Sequence, residues 1–127
     1  MPRAPNLPGT LSLDDLANYQ AKKRDALCGP YRSYRICTMP PPTSGGVTTL
    51  QILGILEEFD MHEIEPMSLM AVHFIAEAEK LSYADRDKYV ADPDSVRVPL
   101  NAMLDPDYLR ALKADRSEPQ HGRRAAR

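Results

Sequence analysis

Tryptophan is missing from this sequence and phenylalanine occurs only twice. No large aromatic cluster can anchor the interior, which has to be assembled from Leu, Ile, Val, Met and Tyr. Cysteine is scarce as well, with Cys28 and Cys37 alone. Their spacing is neither a C-x-x-C redox pair nor half of a zinc site, so two free, half-buried thiols are expected. The net charge of −2 supplies no basic field, and no nucleic-acid partner is expected. No apolar run approaches the roughly 20 residues needed to span a bilayer, so no membrane partner is expected either. The opening "MPRAPNLPG" has one Arg but no apolar stretch to act as a secretory signal, and the chain as written is expected to stay in the cytoplasm.

What is present is ordinary in bulk and unusual in one respect. A chain of 127 residues with 43% hydrophobic and 27% charged residues suits one globular domain. Proline is in excess at 12 residues, about twice the usual share. Seven of these are at 2, 5, 8, 30 and 40 to 42, which makes the front third rich in extended chain and turns.

Local patterns set out an α+β order. Residues 1–9 read as a linker, and residues 10–115 as the folded part. Ser12 and Asp15 have capping-box spacing, with Leu13, Leu16 and Ala17 on one face, which predicts a short helix from Leu13 to Ala21. "ALCGPYRSYRICTM" is strand-like, with a turn expected at Gly29-Pro30. Beyond it, Tyr34, Ile36 and Thr38 point one way and Ser33, Arg35, Cys37 and Met39 the other. A two-stranded ribbon is marginal alone in water, so it needs a covering surface. "VTTLQILGILEEF" has apolar residues on more than one stripe and is expected to pack on two sides. Gly54 within it costs about 1 kcal/mol against Ala and marks the close approach of another element. Glu65-Pro66 predicts the start of a long helix reaching Val90, with Met70, Phe74, Ala78 and Leu81 as its packed face. "ADPDSVRVP" is a loop. Asp105 caps, and Pro106 opens, a last short helix. Residues 116–127 read as a disordered basic tail.

Few of these residues form a chemical constellation. Pro40, Pro41, Pro42, Thr43, Ser44, Gly45 and Gly46 make a glycine-bearing turn between strand and helix, a place where phosphates often bind. A P-loop would need a lysine directly after the glycines, and Val47 stands there instead. The prolines are better read as a stiff extended segment, with Thr43 or Ser44 as a cap and the glycines allowing a close backbone approach. His73 and Glu77 share a helix face, but two ligands fall short of a metal site. Asp85 and Arg86 are set in a charged run that is usually a solvated face; a buried ion pair is the other reading. No nucleophile elbow occurs.

The order of motifs carries more than any one of them. "YRSYRICTMPPPTSGGVTTLQILGILEEFD", then "HFIAEAEKLSYADRDKYVADPDSVRVP" and "LDPDYLRAL", resemble the later part of the large subunit of γ-glutamyltransferases, also called glutathione hydrolases. The A-E-A-x-K-x-x-Y-A-D-R string is matched by Ala76, Glu77, Ala78, Lys80, Tyr83, Ala84, Asp85 and Arg86. Asp92-Pro93 followed by Val98-Pro99 is a further marker. Thr43 and Ala91 depart from the family's usual Ser and Gly.

The resemblance implies part of an N-terminal-nucleophile hydrolase, whose whole fold is a four-layer αββα sandwich. In that family a self-cleaved precursor exposes a threonine that attacks the γ-glutamyl bond, with its own α-amino group as base. The threonine-histidine motif, the substrate-carboxylate arginine and the paired-glycine oxyanion segment all fall outside the matched region. No catalytic, substrate-binding, metal or cofactor residue is therefore assigned, and the chain alone is expected to be inactive. Pro40, Pro41, Pro42, Ser44, Gly45, Gly46, Glu77, Asp85, Arg86 and Asp92 are expected to be scaffold. The expected partner is the remainder of such an enzyme, or otherwise a second copy in a non-catalytic binding module. The family is often periplasmic, secreted or membrane-anchored.

Overall fold

The computed structural model describes residues 9–114, so all but the last residue of the linker expected over residues 1–9, and the whole tail expected over 116–127, lie outside the described residues. The element order is α1 (Leu13–Asn18), β1 (Leu27–Tyr31), β2 (Tyr34–Thr38), α2 (Gly45–Leu56), α3 (Leu69–Tyr89), α4 (Leu100–Met103) and α5 (Pro106–Ala114). Among the described residues, no helix is long and apolar enough to cross a membrane.

α1 is held by the capping box expected of Ser12 and Asp15. The Asp15 amide donates to Ser12 Oγ at 3.1 Å, and the Ser12 amide donates to the Asp15 carboxylate at 2.8 Å. The helix stops at Asn18, three residues short of Ala21, and Tyr19 is extended. None of its residues is buried, and a six-residue helix without tertiary packing has little to extend it. Its apolar face is open, with Leu13 84% exposed.

The strands pair antiparallel in the register Cys28·Cys37, Gly29·Ile36, Pro30·Arg35 and Tyr31·Tyr34. The turn is therefore at Arg32-Ser33 and not at Gly29-Pro30. Gly29 belongs in the strand because α2 lies on it: a Cβ there would meet Leu50 Cδ2 at 3.2 Å. Pro30 can also stay. Tyr31 and Tyr34 close a two-residue loop as a hydrogen-bonded pair, so the next pair, Pro30·Arg35, exchanges no ladder bonds and the missing N–H costs nothing there. Cys28·Cys37 is again a pair of that kind, which brings side chains closest. The two cysteines are joined as a disulfide, correcting the expectation of free thiols. Spacing rules such as C-x-x-C are blind to a pairing made by strand register.

The hairpin tip is tied down as well. Arg32 has a positive φ of 53° and its amide donates to the Glu57 carboxylate at 2.9 Å. Its guanidinium donates to the Glu57 carbonyl at 3.2 Å and also to the Phe59 carbonyl. A cation here satisfies carbonyls left open at the C-terminal end of α2.

α2 is packed on two sides, as its sequence predicts. The ribbon covers one side and α3 with α5 the other. Gly46 and Gly54 are the contact points. A Cβ on Gly46 would lie 1.9 Å from the Met39 carbonyl oxygen, and one on Gly54 would lie 2.5 Å from Leu109 Cδ1 in α5. Ile55, Leu56, Ala78 and Leu109 form the buried core, with Ile52, Phe59, Phe74 and Leu81 packed around it. The two phenylalanines meet with ring centroids 4.4 Å apart.

α3 begins at Leu69 rather than Pro66. Met67 has a positive φ of 62°, which interrupts the helix, and Ser68 caps it by accepting from the Ala71 amide at 3.2 Å. Its buried stripe is Ala71, Ala78, Ser82 and Asp85, whereas Met70 is exposed. Of the expected face, Ala78 is buried and Phe74 and Leu81 pack around the core, while small residues at 71, 78 and 82 let α3 approach α2 closely. α4 is a single turn that no sequence signal marked. α5 starts as expected, with Asp105 Oδ1 accepting from the amides of Asp107 at 2.9 Å and Tyr108 at 3.1 Å.

Gly46→Ala is expected to cost at least about 3 kcal/mol, because the obstruction is backbone. Gly45→Ala, with nothing within 4 Å of the added carbon, should stay within about 1 kcal/mol of the parent. Urea unfolding of the two variants followed by circular dichroism checks the contrast.

Candidate functional site

Two of the buried polar residues, Gln51 and Asp85, lie where four helices meet. Gln51 lies in the middle of α2 and is 0% exposed. Its amide nitrogen donates to the Asp85 carboxylate of α3 at 2.8 Å and to the Met103 carbonyl of α4 at 3.2 Å. Asp85 is itself buried and accepts from the Tyr108 hydroxyl of α5 at 2.9 and 2.8 Å to its two oxygens. One glutamine and one carboxylate thus connect α2, α3, α4 and α5. The orientation of the Gln51 amide follows from the carboxylate, which accepts a donor and would repel the amide oxygen. That oxygen, Oε1, is buried without a protein partner. Burial raises the Tyr108 hydroxyl from its ordinary value of 10.0 to about 12, and its hydrogen bond to Asp85 acts in the same direction.

Arg86, next along α3, turns to the start of α2. Its Nε donates to Ser44 Oγ at 3.0 Å, and its Nη1 reaches Asp87 at 2.6 Å. Asp85 and Arg86 therefore hold different elements and form no buried pair with each other. Ser44 stands at the N-cap position of α2, but its side chain makes no capping bond. Its carbonyl takes the Thr48 hydroxyl at 2.9 Å instead.

A second group ties the segment before β1 to the loop after α3. Asp94 receives Lys22 at 2.6 Å and Arg24 at 2.8 Å, and Asp92 lies 3.8 Å from Arg24. Asp92 Oδ1 also accepts from the Asp94 amide at 3.0 Å, closing the turn at Asp92-Pro93. The hydrogen bond from Arg24, then that from Lys22, holds the Asp94 carboxyl down at about 2 against an ordinary 3.8. These residues wall a groove of about 540 Å³ that Pro40, Pro42 and Thr43 also line. Pro41 is fully buried.

The structure thus brings Ser44 to Arg86 and sets Asp92 beside Pro40 and Pro42. Asp85 sits apart at the helix junction, and Gly46 lies against Met39. Gly45 is exposed. Glu77 pairs with Lys80 on the surface of α3, and His73 is exposed. Among the described residues, no three of His, Cys, Asp and Glu converge as a metal site would require. Gln51, Tyr108, Lys22, Arg24 and Asp94 were not singled out from the sequence. Only Gln51 had a usable signal, as a polar residue inside an apolar run packed on two sides.

A mixed helical unit with a two-stranded ribbon, fastened through a buried carboxylate, has matches among solved N-terminal-nucleophile hydrolases. The gamma-glutamyltranspeptidase of Helicobacter pylori superimposes with a TM-score of 0.79 at 35% identity, over 89% of this chain and 32% of that one. A cephalosporin acylase from Bacillus halodurans superimposes with a TM-score of 0.73 at 28% identity, over 84% of this chain and 19% of the other. In sequence, the glutathione hydrolase proenzyme of Escherichia coli strain K12 is 45% identical over 104 residues, which is 82% of this chain. Residues 3–124 match the gamma-glutamyltranspeptidase family, and the chain belongs to that family. It spans about 18% of the length of the E. coli relative.

Asp85→Asn keeps the shape of the junction but replaces one acceptor with a donor facing the Gln51 amide or the Tyr108 hydroxyl. It should cost about 2 kcal/mol, whereas Asp94→Asn on the exposed surface should leave the denaturant midpoint much closer to that of the parent. Denaturant midpoints of the two variants check this. The pH dependence separates the groups too. The Tyr108 hydroxyl is raised in the folded state, so its contribution is complete below about 10 and is lost as pH rises through about 12. Asp94 is lowered, so its contribution is present above 3.8 and is lost as pH falls through about 2. Tyr108→Phe should flatten the alkaline limb of a stability-pH curve and leave the acid limb unchanged.

Proposed function

We propose that this chain is a scaffold segment of the large-subunit part of a glutathione hydrolase. In this reading, γ-glutamyl transfer, or hydrolysis of glutathione and γ-glutamyl amides, is carried out by groups that other parts of such an enzyme provide. The observation that carries it is the use made of the chain's polar residues. Asp85, Gln51, Tyr108, Arg86 and Ser44 are all engaged in joining helices, and none is free to meet a substrate carbonyl. None of the chain's threonines precedes a histidine, so the family's nucleophile motif has no counterpart here. A rigid support of this kind serves catalysis by fixing what is mounted on it.

The partner in this reading is the remainder of the enzyme. Leu13 on α1 and Met67 and Leu69 at the start of α3 are each more than four-fifths exposed. These side chains suit burial against further layers of a sandwich. Self-association of a non-catalytic module is the competing use of the same surfaces.

The test is to assay the chain with a chromogenic γ-glutamyl anilide. It is measured alone and after co-expression with the E. coli relative from which the corresponding segment has been removed. Turnover only in the co-assembled complex is expected. Turnover by the chain alone would contradict the proposal, as would a stable complex without turnover. A discrete dimer in size-exclusion chromatography that refuses the complementing piece would favour the binding module.

A further inference from the structure

The ribbon has two faces, and only one is covered. Gly29 meets Leu50 of α2, and its cross-strand partner Ile36 shares that inner face. Alternation puts Cys28, Pro30, Arg35 and Cys37 on the opposite, outer face. Cys37 is exposed and Cys28 half-buried. The disulfide spans only nine positions, across a hairpin that its own two-residue turn already closes. Strand pairing and the packing of Gly29 on Leu50 hold the hairpin together beside it. A cross-link at the surface is accessible to exchange.

Beside it lies a recess of about 340 Å³ lined by Cys28, Pro30, Arg32, Ser33 and Arg35 among others. The Glu57 carboxylate sits at the Arg32 amide and offsets that guanidinium. Arg35 is exposed and takes part in none of the ion pairs among the described residues. It lies two residues from Cys37 on the same face and diagonal to Cys28, within reach of a long side chain.

We propose that Cys28–Cys37 is a thiol–disulfide exchange site for small anionic thiols, with Arg35 as the residue that favours the anion. A thiolate attacks Sγ of Cys37, the exposed sulfur, and forms a mixed disulfide. The electron pair of the broken bond leaves on Sγ of Cys28, which takes up a proton. A second thiolate attacks the external sulfur of the mixed disulfide and expels the Cys37 thiolate. The sum is protein disulfide plus two small thiols giving two protein thiols plus one small-molecule disulfide, with both electrons supplied by the small thiols. Arg35 draws in the carboxylates of the incoming thiol, an attraction that a thiol without them does not gain. The site is separate from the helix junction, since none of Gln51, Asp85, Met103 and Tyr108 lines the recess beside it.

The experiment incubates the native chain with reduced glutathione, which carries net negative charge, or with neutral β-mercaptoethanol. Samples are quenched by alkylation and the open fraction is read by mass spectrometry, with far-UV circular dichroism recorded in parallel. Both thiols should open the bond while the helical signal is retained. Arg35→Gln should slow glutathione about threefold, the size of one charge interaction at the surface, and leave β-mercaptoethanol unchanged. With glutathione disulfide, Cys28→Ser should form the mixed disulfide on Cys37 faster than Cys37→Ser forms it on Cys28. A bond that opens only on unfolding would overturn the exchange site. Equal slowing of both thiols in Arg35→Gln would overturn the role of the charge. Recovery of both cysteines as free thiols that glutathione disulfide cannot oxidise would overturn the pairing itself.

Discussion

The side chain of Gln51 is the point on which the packing of this chain depends. It reaches from α2 to a carboxylate on α3 and a carbonyl on α4, and that carboxylate holds a tyrosine on α5. Polar groups this deep are costly unless paired, because they forgo water. Once paired they admit few arrangements, since each helix must present its own donor or acceptor at one distance. The apolar core of Ile55, Leu56, Ala78 and Leu109 supplies cohesion without direction. The Gln51–Asp85–Tyr108 chain gives it register.

Around that point small residues allow close approaches between elements. Gly46 lets the first turn of α2 meet the Met39 carbonyl, and Gly54 lets its middle meet Leu109. Ala71, Ala78 and Ser82 thin the facing side of α3. The proline segment leads into this closeness, with Pro41 fully buried and Arg86 drawn across to Ser44. The strand-to-helix turn that suggests a phosphate cradle in the sequence is thus occupied by the protein's own backbone. At the opposite end of α2, Arg32 joins the ribbon tip to Glu57. α2 is fastened at both ends and in the middle.

Features that rest on neighbours in sequence were legible from it. The Ser12 capping box, the Asp105–Pro106 helix start and the two-sided packing of α2 follow from spacing of three or four residues. The glycine at 54 announced a close approach because it had no local purpose. Features that rest on register or on distant partners were not legible. Cys28 and Cys37 pair only because the hairpin turns at Arg32 and not at Pro30. Ser68 displaced Pro66 as the start of α3 because Met67 takes a left-handed backbone, which no pattern of apolar residues reports. Asp85 stood out in the sequence, but its partners are 34 and 23 positions away and not the arginine beside it. Membership in the gamma-glutamyltranspeptidase family was legible from motif order, because order survives where single contacts are not visible.

α2 is the rigid hub of the chain, and the junction at Gln51 stabilises it. Native-state hydrogen exchange measures this most directly. Amides of Val47 to Leu56 should exchange slowest, in step with those of Ala78 to Asp85 across the junction, while amides of α1 exchange near the unprotected rate. Protection in α2 no greater than in α1, or exchange of α2 independent of the second half of α3, would contradict it.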